Sequence, residues 1–148
     1  MSSPTATLPS PIQGRCHCGN LQYSLAWRSL DAPVLRACGC DYCSRHSALW
    51  TSHPAAPVTL NIADPSLLLP YRFGTASADF LVCLRCGVLT LTRCELPDGL
   101  RTVVNANTFE NLPLTHCPRV ATDFDGEDRE QRLARRQRNW SPLHMHTP

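Results

Sequence analysis

The sequence lacks lysine altogether, since all 14 of its basic residues are arginine. A Schiff-base lysine, a pyridoxal-phosphate anchor and the phosphate-binding lysine of a P-loop are therefore excluded. Long apolar runs are also missing: the run at residues 67–69 ends at Pro70, and no run approaches the ~20 residues of a membrane helix. The formal net charge of +2 is too small to indicate a nucleic-acid partner or a membrane surface by itself.

The N-terminal residues 1–13 contain three prolines and three serines but no apolar stretch. This composition predicts a flexible lead rather than an export signal, and hence a reducing, cytoplasmic location. In a reducing compartment, nine cysteines in 148 residues indicate metal or redox chemistry rather than a disulfide scaffold.

The body of the chain, residues 14–122, is predicted to be one mainly β domain. Apolar residues alternate with polar ones in several short runs, which is the period of a half-buried strand. The predicted strands are 21–27, 58–62, 79–82, 88–93 and 101–106. Thirteen prolines and seven glycines leave little room for long helices before residue 120.

The C-terminal part of the sequence has no strand pattern; it predicts an arginine-rich helix over residues 123–140, capped by Asp125. Its docking face is predicted to consist of Leu133, Gln137 and Trp140. Five arginines lie between residues 129 and 138, and we interpret them as a solvated face, with a nucleic-acid patch as the alternative. The remaining residues 141–148, which include His144 and His146, are predicted to be a flexible tail.

Seven of the nine cysteines occur in three short clusters: Cys16 and Cys18; Cys38, Cys40 and Cys43; Cys83 and Cys86. The two pairs together supply the four thiolates of a closed tetrahedral zinc site. The triple supplies three ligands and leaves a fourth position open, unless Cys94, Cys117 or His46 closes it or the triple is free of metal. Otherwise Cys94 and Cys117 are predicted to be buried apolar residues and His17 a surface residue.

Four motifs in this order resemble the glutathione-dependent formaldehyde-activating enzyme family, which includes the centromere protein V-like proteins. They are G-R-C-H-C-G from Gly14, C-G-C-D-Y-C-S-R-H-S from Cys38, F-L-V-C-L-R-C-G-V from Phe80 and V-V-N-A-N from Val103. The resemblance implies a β-tent fold of small packed antiparallel sheets. It also implies a structural zinc at Cys16, Cys18, Cys83 and Cys86 and a catalytic zinc at Cys38, Cys40 and Cys43. The sequence departs from the family pattern at Gly39 and at residues 44–48.

The resulting functional prediction is a zinc-dependent carbon–sulfur lyase with two zinc ions per chain, acting on an adduct of a thiol and an aldehyde. Glutathione is one candidate thiol. His46 is a candidate for proton transfer, Arg45 for anion binding and Tyr42 for a pocket wall, while Asn105 is a polar contact only by the resemblance.

Two alternatives stay open. One is a non-enzymatic zinc module that binds protein or nucleic acid through the arginine-rich helix, and the other is a former enzyme that keeps only its structural zinc. An open three-cysteine site beside a cleft favours the enzyme, whereas a closed second site without a pocket favours the module.

Overall fold

The computed structural model describes residues 8–148; residues 1–7, within the predicted flexible lead, lie outside the described residues. The described chain is mainly β, as predicted, and its strands form one hydrogen-bonded network. The strands are β1 (Ile12–Arg15), β2 (Leu21–Leu25), β3 (Leu35–Cys38), β4 (Leu49–Thr51), β5 (Val58–Ile62), β6 (Leu68–Tyr71), β7 (Asp79–Cys83), β8 (Leu89–Leu96), β9 (Gly99–Thr102), β10 (Val104–Asn105), β11 (Arg119–Thr122) and β12 (Ser141–His146). Helix α1 spans Asp41–Arg45 and helix α2 spans Arg129–Asn139. Neither of these two helices combines the length and the apolar character that a membrane crossing requires.

The strands form two groups that β9 connects. One group has the order β1-β2-β5-β12, and the other contains β8-β10-β4-β3-β11 with β7 and then β6 alongside β8. Strand β9 pairs with β12 on one side and with β8 on the other. Most pairs are antiparallel, but β5–β12 and β3–β11 are parallel.

The strand predictions made from alternation agree well with the structure. Strand β5 has the predicted bounds, and β2, β7 and β8 overlap their predicted runs, with alternate residues buried in β2 and β5. The predicted strand 101–106 is divided at Val103 into β9 and β10. The division arises because the amide of Val103 donates to the hydroxyl of Thr92 in β8, 3.1 Å away, instead of to a β-ladder carbonyl.

The buried residues form two clusters. The larger one fills the space between the strands and includes Leu25, Leu60 and Leu91, all fully buried. The smaller cluster surrounds Trp50 and Trp140 and also contains Cys43. One of the predicted metal ligands is thus part of the second core.

Both predicted flexible ends were too long. The lead was expected to run to residue 13, but β1 begins at Ile12, which is fully buried and pairs with Leu25. The predicted tail 141–148 is wrong for most of its length, because Ser141–His146 form β12. Ser141 and Leu143 are buried. The strand lies between β5 and β9 and forms hydrogen bonds with both of them.

The C-terminal helix is confirmed, with a later start and a different buried face. It is capped by Asp128 rather than Asp125, in a capping box with Gln131. Gly126, at φ +94°, turns the chain between these two aspartates, which prevents a helix from starting at Asp125. Arg136, not Gln137, lies buried together with Trp140.

Candidate metal centres

Four cysteines from two turns far apart in the sequence converge at one point. Cys16 and Cys18 follow β1, while Cys83 ends β7 and Cys86 lies in the turn to β8. Their sulfur atoms all lie within 4.8 Å of one another, with 3.8 Å between Cys16 and Cys18 and 3.5 Å between Cys18 and Cys83. Four sulfurs held tetrahedrally about 2.3 Å from a zinc-sized ion would be about 3.8 Å apart. The donor set therefore fits a closed metal site.

The two turns that carry these cysteines use the same local device. Gly19 and Gly87 have φ of +84° and +78°, a conformation that side chains with a Cβ rarely adopt. In each turn the glycine amide donates to the carbonyl of the first cysteine, 3.2 Å away for Cys16 and 2.7 Å for Cys83. Each turn thereby presents two sulfurs on the same side.

The pKa values of two thiols in this cluster are shifted in opposite directions. Burial raises the pKa of Cys16 to about 12. Burial also acts to raise the pKa of Cys86, but hydrogen bonds from the backbone of Cys18 and Val88 outweigh it and lower that pKa to about 6. Without a cation, four adjacent thiolates would repel one another; a metal ion would allow all four to deprotonate.

The second cluster is built on the start of helix α1. Cys38 ends β3, and the sulfur of Cys40 caps the helix by accepting the amide N–H of Cys43 at 3.3 Å. The indole N–H of Trp50 donates to the sulfur of Cys43, also at 3.3 Å. The three sulfurs lie within 4.8 Å of one another, and within residues 8–148 no further Cys, His, Asp or Glu ligand atom joins them.

In the second cluster, the pKa values of Cys38 and Cys43 are shifted in opposite directions. A hydrogen bond with Cys43 lowers the pKa of Cys38 to about 6, although burial acts in the opposite direction. The same hydrogen bond and burial raise the pKa of Cys43. Cys38 is thus the readier thiolate of this pair, and a bound metal would favour deprotonation of Cys43. Two cysteine clusters that could each hold a metal ion are therefore present.

The alternative ligands named for the triple lie elsewhere. Cys94 is fully buried in the second core cluster, and its sulfur lies 3.6 Å from a guanidinium nitrogen of Arg136. Cys117 is buried in the first cluster. Both are buried, as predicted, and His17 is exposed, as predicted.

Of the four non-cysteine candidates, two line a cavity beside the cysteine triple and two do not. Tyr42 and Arg45 line the adjacent cavity, and Arg45 forms an exposed ion pair with Asp41 at 3.3 Å. His46 ends helix α1, is exposed and packs against the ring of Tyr42 at 4.9 Å, but it does not line the cavity. Asn105 is buried, and its amide binds the backbone of Leu49, Leu89 and Asn107, so its polar groups serve the fold.

A cavity of about 660 Å³ opens beside the second cluster, and the cysteine triple forms part of its wall. Such a volume is typical of small-molecule sites. Seven aromatic side chains line the cavity: Tyr42, Trp50, Tyr71, Phe73, Phe80, Phe124 and Trp140. Besides Arg45, four arginines line it: Arg36, Arg132, Arg135 and Arg136.

The interpretation of the α2 arginines as a solvated face is wrong for three of the five. Arg132, Arg135 and Arg136 lie on the side of the helix that faces the cavity, and Arg136 is only 5% exposed. Of the five helix arginines, only Arg129 and Arg138 are exposed. The sequence carried a signal for this orientation that the interpretation missed: positions 132, 135 and 136 have i, i+3, i+4 spacing on the face that also contains Trp140.

Comparisons with known proteins establish the fold only. No protein-family model matches the chain, and no curated protein matches it. Among solved structures, the chain is similar to the crystal structure of a Rhodobacter sphaeroides protein, a structural genomics target. The two share 23% sequence identity with a TM-score of 0.55, over 74% of this chain and all of the other. At this identity the similarity concerns the fold and says nothing of activity.

Proposed function

We propose that the protein is a zinc-dependent carbon–sulfur lyase of the glutathione-dependent formaldehyde-activating kind. Its substrate is the adduct of a thiol and an aldehyde. The observation that carries the proposal is the position of the cysteine triple: three sulfurs, which no fourth ligand atom joins within residues 8–148, form part of the wall of a cavity of small-molecule size. A closed second site without a cavity would have favoured the binding module.

The proposed reaction is balanced without an oxidant or reductant. In the direction of addition, the thiol sulfur forms a bond to the carbonyl carbon, the π electron pair of the carbonyl moves to oxygen, and the thiol proton ends on that oxygen. The lyase direction breaks the same carbon–sulfur bond and returns the proton to sulfur. A zinc ion held by Cys38, Cys40 and Cys43 would supply the Lewis acidity that lowers the pKa of the substrate thiol.

The residues of the chain prepare this site in three ways. The capping interaction at Cys40 fixes the start of α1, so two of the three sulfurs are held by one helical turn. The indole of Trp50 donates to Cys43 and stabilises its thiolate form. The aromatic wall, in which Tyr42 packs against Phe73 at 4.9 Å, excludes water from one side of the reacting atoms.

His46 remains our candidate for proton transfer, although its contribution is less direct than the sequence suggested. Its ring lies against Tyr42, outside the cavity wall. A role at the carbonyl oxygen would thus require a small movement of α1 or a bridging water.

Cobalt substitution tests the proposal because Co²⁺ reports its own coordination in visible spectra. The cobalt-loaded protein is titrated with small thiols of different size, glutathione included. We expect saturable changes in the ligand-field and thiolate-to-metal bands with at least one thiol. The change should vanish in Cys40→Ser and persist in Cys117→Ala, a matched control in which the lost thiol lies outside both clusters.

Two results would reject the enzyme interpretation. One is the lack of any response to thiols and aldehydes while the second site is filled with cobalt. The other is an equal response in Cys40→Ser and wild type, because the thiol would then bind elsewhere. Either result would favour the non-enzymatic zinc module.

A further inference from the structure

Two of the arginines that line the cavity are largely or wholly buried and have no acidic partner. Within residues 8–148, neither Arg36 nor Arg136 forms an ion pair. Arg136 is 5% exposed, and one of its terminal nitrogens donates to the hydroxyl of Ser77 at 2.7 Å and lies 3.6 Å from the sulfur of Cys94. Its Nε is buried and has no hydrogen-bond partner within residues 8–148. In the described part of the chain, the one hydrogen bond from the side chain of Arg36 goes to the hydroxyl of Ser52, at 2.8 Å. Buried cations left in this condition are costly unless an anion joins them.

The neighbouring charges do not remove this imbalance. Arg132 and Arg135 share a single carboxylate, that of Glu127, at 3.7 Å and 3.0 Å. Burial lowers the pKa of Arg136; the neighbouring thiol of Cys94 acts against this, while the charges of Arg135 and Arg132 act in the same direction as burial. Asp41 and Asp125 also line the cavity, and together with Glu127 they leave the five arginines an excess of about two positive charges. A metal ion bound by three thiolates would carry a net charge of about −1, which does not cancel this excess. One further anion would therefore relieve mutual repulsion among these arginines.

The aromatic region of the cavity defines the rest of the occupant. The ring of Tyr42 contacts those of Tyr71 at 5.1 Å, Phe73 at 4.9 Å and Phe80 at 5.1 Å. Such a wall favours a flat apolar group that can stack or meet the rings edge to face. On the arginine side, Arg136 is held over the ring of Trp140 at 4.8 Å, so its planar guanidinium is already oriented.

We propose that this cavity selects an aromatic carboxylate, whose acid group binds Arg36 and Arg136 and whose ring packs against Tyr42, Phe73 and Phe80. The inference rests on the proposed function only in one respect, namely that the selected molecule is the thiol part of the substrate. In that case the thiol substrate is an aryl thiol that carries an acid group, and its sulfur faces the cysteine triple. A guanidinium prefers carboxylates because its two parallel N–H groups match the two carboxylate oxygens.

Sulfur-free probes test the pocket without involving the metal-binding group. Calorimetry on the metal-loaded protein compares phenylacetate with its neutral isostere 2-phenylacetamide and with cyclohexylacetate, which keeps the charge but lacks the aromatic ring. Inorganic phosphate, at constant ionic strength, serves as a competitor that lacks the ring. We expect phenylacetate to bind at least about tenfold more tightly than 2-phenylacetamide, as a charged hydrogen-bonded pair should provide. Cyclohexylacetate and phosphate should both bind more weakly than phenylacetate.

Variants locate the binding to the two arginines. Arg136→Gln and Arg36→Gln should each remove most of the preference for phenylacetate over its amide. Arg138→Gln, an exposed change on the same helix, should keep it. If Arg136→Gln fails to fold, Arg36→Gln and the wild-type probe series still decide the question.

The inference is overturned if the acid and the amide bind equally to wild type, if phosphate binds as well as phenylacetate, or if Arg138→Gln loses the preference as well. This failure differs from failure of the proposed function. If wild-type protein binds phenylacetate but the cobalt spectra do not respond to thiols, the aromatic-acid pocket is supported and the lyase function is rejected. If the cobalt spectra respond to thiols but phenylacetate is not preferred over its amide, the lyase function is supported and the aromatic-acid pocket is rejected.

Discussion

At the scale of single residues, the geometry of the first candidate metal centre involves two glycines as well as four cysteines. Gly87 has φ +78°, and a Cβ built on it would meet no atom within 4 Å. The space is free, so any cost of a side chain there comes from the backbone conformation alone. Gly39, between two cysteines of the other cluster, has no positive φ, and a Cβ there would meet only the carbonyl of Thr122 at 3.7 Å.

This contrast gives a prediction for two otherwise similar substitutions. Gly87→Ala should lower the free energy of unfolding by ~1–2 kcal/mol, because alanine in the left-handed region is strained. The loss should also appear as weaker retention of the first metal against a chelator, since metal binding and folding are coupled. Urea unfolding and chelator competition measure the two effects.

Gly39→Ala is the matched control, and its stability should stay within about 0.5 kcal/mol of wild type. A Gly87→Ala protein as stable as Gly39→Ala would mean that the left-handed turn does not shape the first site.

At the scale of secondary-structure elements, strand β12 joins parts of the sheet that are far apart in the sequence. It pairs in parallel with β5 and antiparallel with β9, and Leu143 is buried opposite Val58. The strand directly follows α2, so its pairing also fixes the end of the helix that carries the cavity arginines.

Two substitutions in β12 distinguish a packed strand from a loose tail. Leu143→Ala should destabilise the protein by ~2–4 kcal/mol, the usual cost of removing a buried leucine side chain. His144→Ala, one residue further on and exposed, should change the free energy of unfolding by less than about 0.5 kcal/mol. Thermal and urea unfolding of the metal-loaded proteins measure both. Equal stability of the two variants would be inconsistent with the strand.

The elements that sequence patterns predicted are those whose signal is local. Alternation identified β2, β5, β7 and β8 because each buries mainly one face or a continuous run. Strand β12 was not predicted because Pro142 and two histidines are typical of a tail. Its pairing partners, β5 and β9, are also distant in sequence. A strand whose hydrogen bonds all come from remote segments leaves little local trace.

The same limit applies to the site. Cysteine spacing predicted both ligand sets, since chelating pairs are set by short-range geometry. The cavity itself could not be predicted, because it forms where α1, the β6–β7 hairpin and α2 meet. Charge pattern alone placed the helix arginines in solvent; only the docking of Trp140 and Arg136 against Ser77 and Cys94 turns them towards the cavity.

At the scale of the whole molecule, the two cysteine clusters lie at separate positions in the fold. The first joins the turn after β1 to the β7–β8 turn, some 65 residues later, next to the larger core. The second lies on α1 beside the cavity and the smaller core. Loss of a ligand should therefore affect folding at the first cluster and binding at the second.

The most direct test of this account is the zinc content of purified protein, measured by elemental analysis together with circular dichroism. Protein prepared without chelator should carry about two zinc ions per chain. Cys40→Ser should stay folded and carry about one, whereas Cys83→Ser should unfold or aggregate because the first site no longer closes. A wild-type value near one would leave the second cluster without its metal, and a value near zero, or two zinc ions retained in Cys40→Ser, would contradict the account.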